Sequence, residues 1–413
     1  MGDQTPVIEG TLGIHILSST MGESIIVTLP DKSWFVIDAF SGARVKASGP
    51  NRPHAVLSFL KRFGLNAVDC NFVLLTHLHE DHYEGVPFLL KQLRELHPTL
   101  PLARHGNYRE TGVLKVLEKH YKAEYLVSSK VKHIGIRADE VAKLFANDCI
   151  DLGQWELLHS HSETQCKVFT VAPGENIVNR FYNPKAFRSD LDQEAPKEVL
   201  EIVKSQNKII NDMSVAVCVQ FGETCVLLPG DCEKEAWRAI AEKPLPNRTI
   251  ASVVDPLGAV NFMKAPHHAS ARAWNSYLES LYRPCDVTVA THHEKGQNQL
   301  PNPEGLALIR RTGTGVAIPD RSLLAPELQE QADDLPRFTR IPVPHGRRGS
   351  ELEAEKLRAG LDGSIRSEPQ DEIAWVSLSF HDDGSSSGRW YGGSQAAFLP
   401  AFAARPQAAS GRA

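Results

Sequence analysis

Short apolar runs separated by polar turns dominate the first part of the chain. Residues 12–17, 24–29 and 34–37 are such runs and predict three strands. Pro30-Asp31-Lys32 suits the tight turn between the last two, and Asp38 closes the third. Residues 53–63 place Val56, Leu57, Leu60 and Phe63 at helical spacing and stop at Gly64, which predicts a helix. The unbroken apolar run 72–75 reads as a buried strand, and 86–96 resumes as an amphipathic helix ended by Pro98. Helices are expected over 111–125 and 138–145, a strand over 168–171, and a helix over 196–205 with Pro196 in its first turn. Strands at 215–221 and 225–228 flank the turn Gly222-Glu223-Thr224, and a helix over 233–241 follows. A strand within 251–261, a helix at 274–282, a strand at 286–291 and a helix at 303–311 complete a second set. Strands then helices, twice over, predict an α/β fold: an αββα sandwich of two mixed β-sheets flanked by helices.

The pattern also divides the chain. Residues 1–320 read as one domain of this kind. From 321 to 372 Pro, Arg, Glu and Gly take over, with one exposed helix at 350–359; this stretch is expected to be an insertion or flexible arm, open to a protein partner. Residues 373–400 return as strands that complete the sandwich, and 401–413 read as a disordered tail.

Composition adds exclusions. A chain of 413 residues with 42% hydrophobic and 23% charged content has the make-up of an ordinary soluble protein. A net charge of −5 gives no global reason to bind a polyanion, though a local basic groove stays open. The seven cysteines are odd in number and scattered, with no Cys-x-x-Cys pair. They read as small buried hydrophobes of a reducing, cytoplasmic protein. No apolar run approaches the length of a membrane span, and no basic start precedes an apolar stretch, so neither a span nor a signal peptide is expected.

The chemistry is concentrated after the run 72–75. Three histidines and the Asp81 carboxylate stand in the pattern His-x-His-x-Asp-His over His77-Leu78-His79-Glu80-Asp81-His82. A lone histidine is usually a surface or satisfied core residue, but a buried strand should end in turn formers rather than in four metal-ligand side chains. Imidazole and carboxylate are the donors that zinc prefers, and the density exceeds what one tetrahedral ion needs. Three further places fit the same site: Asp38, Asp231 after the strand end Pro229-Gly230, and His267-His268 in a Pro-flanked loop. Adjacent residues on an extended loop point in opposite directions, so spacing leaves open which of His267 and His268 meets a metal.

The cluster 77–82 resembles the metal-binding signature of the metallo-β-lactamase superfamily. That resemblance implies that His77 and His79 bind a first metal, that Asp81 and His82 bind a second, and that Asp231 bridges them. It implies that Asp38 orients the metal loop from behind. Asn211-Asp212-Met213-Ser214, Gly230-Asp231, Lys264-Ala265-Pro266-His267-His268-Ala269-Ser270 and the opening hairpin through Met21-Gly22-Glu23 resemble more narrowly the soluble hydrolase domain of ComEC-type competence proteins and their stand-alone relatives, over about 11–320. Glu23 stands where that family has aspartate, and Ala269 where it has glycine. The histidine that completes the first site in many members has no clear match. His105, His133, His159 and His161 lie in the interval, and His159 and His161 are the best placed.

The resemblance implies a hydrolase with two divalent ions, zinc or alternatively manganese, acting through a metal-bridged hydroxide. Phosphodiester-cleaving relatives favour His268 as ligand and His267 as donor to a phosphoryl oxygen. Asp81 would orient the nucleophile, His267, Lys264 and Arg272 would stabilise developing negative charge, and Asn211 and Ser270 would hold loop or substrate. Lys264 and Arg272 flank the histidines and favour an anionic substrate, so a phosphodiesterase or nuclease acting on nucleic acid or a nucleotide is expected. The alternatives are a lactone, thioester or amide hydrolase on the same metals, or a metal-stabilised sensor or interaction module without catalysis.

Overall fold

The computed structural model describes residues 7–18, 22–40, 54–77, 79–105, 149–181, 210–242, 260–281, 287–295, 298–319, 324, 326–334, 374–382, 386–392 and 397–399. The helices expected at 111–125, 138–145, 196–205 and 350–359 and the tail 401–413 lie outside these residues.

In chain order the strands are β1 Leu12–Ser18, β2 Glu23–Thr28, β3 Trp34–Ile37, β4 Cys70–Leu75, β5 Leu102–His105, β6 Cys149–Leu152, β7 Leu157–His161, β8 Cys166–Thr170, β9 Val217–Phe221 and β10 Thr224–Leu228. They continue with β11 Phe262–Lys264, β12 Val287–Val289, β13 His293–Lys295, β14 Asn298–Leu300, β15 Gly315–Ile318, β16 Asp333–Asp334, β17 Ala374–Phe380, β18 Ser386–Gly392 and β19 Ala397–Leu399. One mixed sheet has the order β18-β17-β1-β2-β3-β4-β5-β6 and the other β16-β19-β15-β12-β11-β10-β9-β8-β7, while β13 and β14 pair apart as a ribbon.

Alternate side chains explain the layering. Trp34 and Val36 of β3 pack outward with Val56 and Leu60 of the helix Ala55–Phe63 and with Leu89 and Leu93 of the helix Val86–Leu96. Phe35 and Ile37 turn inward and meet Val217, Val226 and Phe262 of the opposite sheet. On that sheet Cys218, Cys225 and Leu227 face Ala236, Trp237 and Ile240 of the helix Lys234–Glu242. Each large side chain buried this way contributes about 1.5–3 kcal/mol. Strands covered on both faces need no polar side, which is why they read as unbroken apolar runs. The result is an αββα sandwich of two mixed sheets with helices outside.

The last strands enter both sheets. β17 pairs antiparallel with β1, and β19 lies between β15 and β16. At the first seam buried His15 bonds Ser377 Oγ at 2.8 Å and Thr28 Oγ1 at 3.1 Å. The start of the stretch 321–372, expected to be an insertion or flexible arm, packs against the second sheet in its described residues. Residues 326–334 carry the helix Pro326–Gln329 and β16, and Leu324, Leu328 and Ala332 bury in the outer core of the second sheet. An apolar residue every fourth position, Leu324, Leu328 and Ala332, was hidden by the surrounding charge.

β3 and β4 run parallel, as do β10, β11 and β12. The segments leaving their carboxyl ends carry Asp38, His77, His79, Asp81, His82, Asp231, His267, His268 and Thr291–His293, the end of open α/β sheets where sites are built. Among the described residues no helix is long and apolar enough to cross a membrane.

Candidate metal centre

Asp38 anchors the first loop. Its Oδ1 accepts the Thr76 backbone N–H at 2.8 Å, and its Oδ2 accepts the Thr76 hydroxyl at 2.6 Å and His82 Nδ1 at 2.6 Å. Thr76 has one hydroxyl proton and gives it to Asp38, so toward His77 Nδ1, 3.1 Å away, it accepts. Ser214 Oγ lies 3.2 Å from the same nitrogen. His77 and His82 thus have Nδ1 engaged from behind. Their Nε2 atoms both turn to Asp231, the arrangement that fixes a ligand tautomer. Burial raises the Asp38 carboxyl above its ordinary range, and His82 offsets part of that rise.

The second sheet supplies the opposite wall. After β10, Gly230 adopts φ 54° and turns the chain so that Asp231 faces the first loop. After β11, the turn Pro266–Ala269 holds His267, His268 and Ala269 at φ 45°, 50° and 60°. This left-handed backbone costs L-residues roughly 1–2 kcal/mol each. The helix Pro303–Arg311 closes over the turn so tightly that a Cβ on Gly305 would overlap the Ala269 carbonyl oxygen. The loop is therefore not extended, and its histidines separate by twisting within a turn.

Three donor groups result among the described residues, of which Glu23, Asp38 and His82 are one and the other two share Asp231. Asp81, His82, Asp231 and His268 have ligand atoms all within 4.8 Å of one another and are all buried, and His77, His79 and Asp231 form a second such group. His268 Nε2 is 3.2 Å from Asp81 Oδ2 and 3.8 Å from Asp231 Oδ1. His82 Nε2 and His77 Nε2 lie 3.3 Å and 3.8 Å from Asp231 Oδ2, and His77 Nε2 is 2.9 Å from His79 Nδ1. His82 Nε2 and Asp231 Oδ1 are buried without a hydrogen bond, which costs about 1–3 kcal/mol per atom unless something else binds them. Nitrogen and carboxylate donors at these separations fit divalent zinc or manganese. Burial alone would raise Asp231, but the imidazoles of His82, His267 and His268 outweigh it and hold the carboxyl well below the ordinary range. Asp81 is held low in the same way against burial, by His82, His268 and His293.

His267 stands at the rim, its side chain 19% exposed. Nδ1 is 2.9 Å from Glu233 Oε1 and Nε2 is 3.6 Å from Asp231 Oδ2. Asn211 Nδ2 donates to the same Glu233 oxygen at 3.2 Å. Ser270 is buried and works on the turn, its N–H reaching the His267 carbonyl at 2.8 Å. His293 is a residue that sequence reasoning missed: its Nδ1 lies 2.9 Å from Asp81 Oδ2, and its ring centroid is 5.5 Å from that of His268. The pair His292-His293 at the end of a predicted strand was the available signal.

Several expected placements change. Lys264 does not face a substrate: as the last residue of β11 it is fully buried and ion-paired with Glu23. Arg272 is exposed. At the rim, against burial, Asp231 and Glu233 raise the pKa of the His267 imidazole, while burial lowers His79 to about 4. His159 and His161 do not complete the first site. His159 bonds Asp31 at 3.1 Å and Asn71 at 3.3 Å, and His161 bonds Thr164 at 3.1 Å. Their strand β7 is the edge of the second sheet, separated from β11 by β10, β9 and β8. His133 lies outside the described residues.

Residues 20–162 match the family model of the metallo-beta-lactamase superfamily. Over these residues the chain is similar to that superfamily, and the two mixed sheets with flanking helices are consistent with its fold. No curated protein sequence matches the chain. Among solved structures, the metallo-beta-lactamase fold protein YhfI from Bacillus subtilis is 12% identical over 75% of this chain and 96% of that chain, with a TM-score of 0.35. The long form RNase Z from yeast is 8% identical over 68% of this chain and 37% of that chain, with a TM-score of 0.32. A metallo-beta-lactamase from Cronobacter sakazakii is 10% identical over 84% of this chain and 90% of that chain, with a TM-score of 0.31.

Proposed function

We propose that the protein is a metal-dependent phosphodiesterase of the ComEC-like branch, holding two divalent ions and acting on nucleic acid or a nucleotide. The observation that carries this reading is the Asp231 carboxylate, which belongs to two of the donor groups. Asp81, His82, Asp231 and His268, with His77 and His79, would hold two divalent ions, which would supply a nucleophile from water at neutral pH and offset charge on the attacking and leaving oxygens.

The chain's own residues do the rest. Asp81, held by His268 and His293, orients the attacking water. Facing the Glu233 carboxylate, His267 Nδ1 must donate, which turns Nε2 toward the reacting centre. Burial lowers the His267 pKa, but Asp231 and Glu233 outweigh it and raise the value, which suits a proton donor to the leaving oxygen. The partly exposed members of the cluster are His79, His267 and His293, with Asp81 and Asp231 buried beneath. An approaching anion therefore meets imidazole first. The motifs around Asn211, Asp231 and Lys264 meet at this one centre, which supports the ComEC-like assignment. A reducing cytoplasm fits Cys218 and Cys225, buried thiols with Sγ atoms 3.4 Å apart.

Purified protein loaded with zinc or manganese should hydrolyse bis-p-nitrophenyl phosphate. Turnover of a lactone or thioester with none of the diester would replace this reading with the other hydrolase class.

A further inference from the structure

Behind His268 lies a buried chain of polar groups that the proposed reaction does not touch. Lys264 and Glu23 are ion-paired and both fully buried. The Thr291 hydroxyl donates to Glu23 Oε2 at 2.9 Å, and Thr291 Oγ1 lies 2.8 Å from His268 Nδ1. Glu23 opens β2 and Thr291 follows β12, so the chain joins the two sheets. The adjacent Gly22 N–H donates to the His292 carbonyl at 3.0 Å and seals the same junction.

Counting donors fixes the direction of every bond. An ammonium only donates and a carboxylate only accepts, and a hydroxyl has one proton. Thr291 gives that proton to Glu23, so toward His268 it accepts, and His268 Nδ1 must carry the hydrogen. In the neutral ring this leaves the Nε2 lone pair directed at Asp81 Oδ2 and Asp231 Oδ1, 3.2 Å and 3.8 Å away. A lone pair facing two carboxylates is favourable only with a cation between them.

We propose that Thr291, its proton committed to Glu23 by the buried Glu23–Lys264 pair, is the positioning residue that fixes the His268 tautomer and so sets the affinity of the Asp81–His82–Asp231–His268 site for its ion. The inference rests on the two-ion reading above. Glu23 and Lys264 hold the hydroxyl in the accepting direction, and the first hairpin thereby becomes part of the second metal site. His82 receives the same treatment from Asp38, so each imidazole of this group has its own acceptor behind it.

The test compares full-length wild type, Thr291→Val and Thr291→Ser. Zinc affinity is read by competition with a chromophoric chelator, the cobalt(II) absorption spectrum reports the ligand field, and nitrogen-15 imidazole shifts report the His268 tautomer. Valine keeps the shape and removes the acceptor. It should weaken one of the two ions by about 10–100-fold, alter the cobalt spectrum and mix the tautomers, with serine restoring all three. Wild-type zinc affinity and an unchanged tautomer in Thr291→Val would overturn the inference alone. Equal weakening of both ions together with a loss of thermal stability would reduce Thr291 to a structural residue and also overturn it. Failure of the wild type to bind any ion would overturn the two-ion reading itself.

Discussion

Asp38 Oδ2 lies 2.6 Å from Nδ1 of His82, and both side chains are fully buried. Three donors converge on this carboxylate: the Thr76 N–H, the Thr76 hydroxyl and the His82 ring. Asn offers a single acceptor oxygen, so Asp38→Asn would set a donor against its NH₂ group. The expected outcome is a loss of about 10–100-fold in the affinity of the His82 site, measured by chelator competition, with a smaller effect on the other ion.

On the proposed reading His267 donates a proton without binding metal, and Glu233 orients its ring. His267→Ala should lower kcat by about 10²–10⁴-fold, the usual worth of a positioned acid, while the metal content of the purified protein stays that of wild type. Glu233→Gln should lower kcat less, because the ring keeps its place but loses the partner that orients it. Loss of an ion in His267→Ala would show it to be a ligand.

Gly22 tests the junction between the first hairpin and the metal loop. It has φ +80°, and a Cβ there would overlap the Asp81 carbonyl oxygen and press on Phe40. Gly22→Ala combines overpacking with an unfavourable backbone and should destabilise the protein by about 2–4 kcal/mol, read from the urea midpoint. Because the clash falls on Asp81, metal affinity should drop in parallel.

Two buried histidines outside the donor groups make stability depend on pH. Burial lowers His15 to about 3 and His54 to about 4. The unfolded chain, with histidines near 6.5, therefore takes up protons first as the pH falls. Their contribution is complete above about pH 6.5 and declines steadily below it, by roughly 2 kcal/mol for each ring at pH 5. Urea unfolding at pH 7 and pH 5 should show this loss, and His15→Gln, which cannot titrate there, should show a shallower slope.

The parts of this structure that could be read from the sequence are those with local causes. β4 was visible because a strand buried on both faces is apolar throughout, and the loop after it because His77, His79, Asp81 and His82 crowd into six positions. Gly230-Asp231 and His267-His268 were visible as chemistry at strand ends. Which loop meets which was not, because no periodicity reports a contact between Glu23 and Lys264 or between Asp81 and His293. Lys264 looked like a cation for substrate because its buried partner lies a whole sheet away in sequence. β5, β6 and β13 through β16 were missed because runs of two to four residues are too short to show alternation. His159 and His161 looked available because alternate positions of an edge strand resemble a ligand pair as well as an exposed face.

The shared Asp231 carboxylate is the centre of the account, and one comparison tests it most directly. Wild type and Asp231→Ala, purified and loaded identically with zinc or manganese, are assayed on bis-p-nitrophenyl phosphate, with bound metal counted in the same samples. The account expects two ions and turnover in the wild type. In the variant it expects metal loss and a fall in kcat/KM of about 1,000-fold or more, about 4 kcal/mol of transition-state stabilisation. Equal turnover and equal metal content in the two proteins would contradict it.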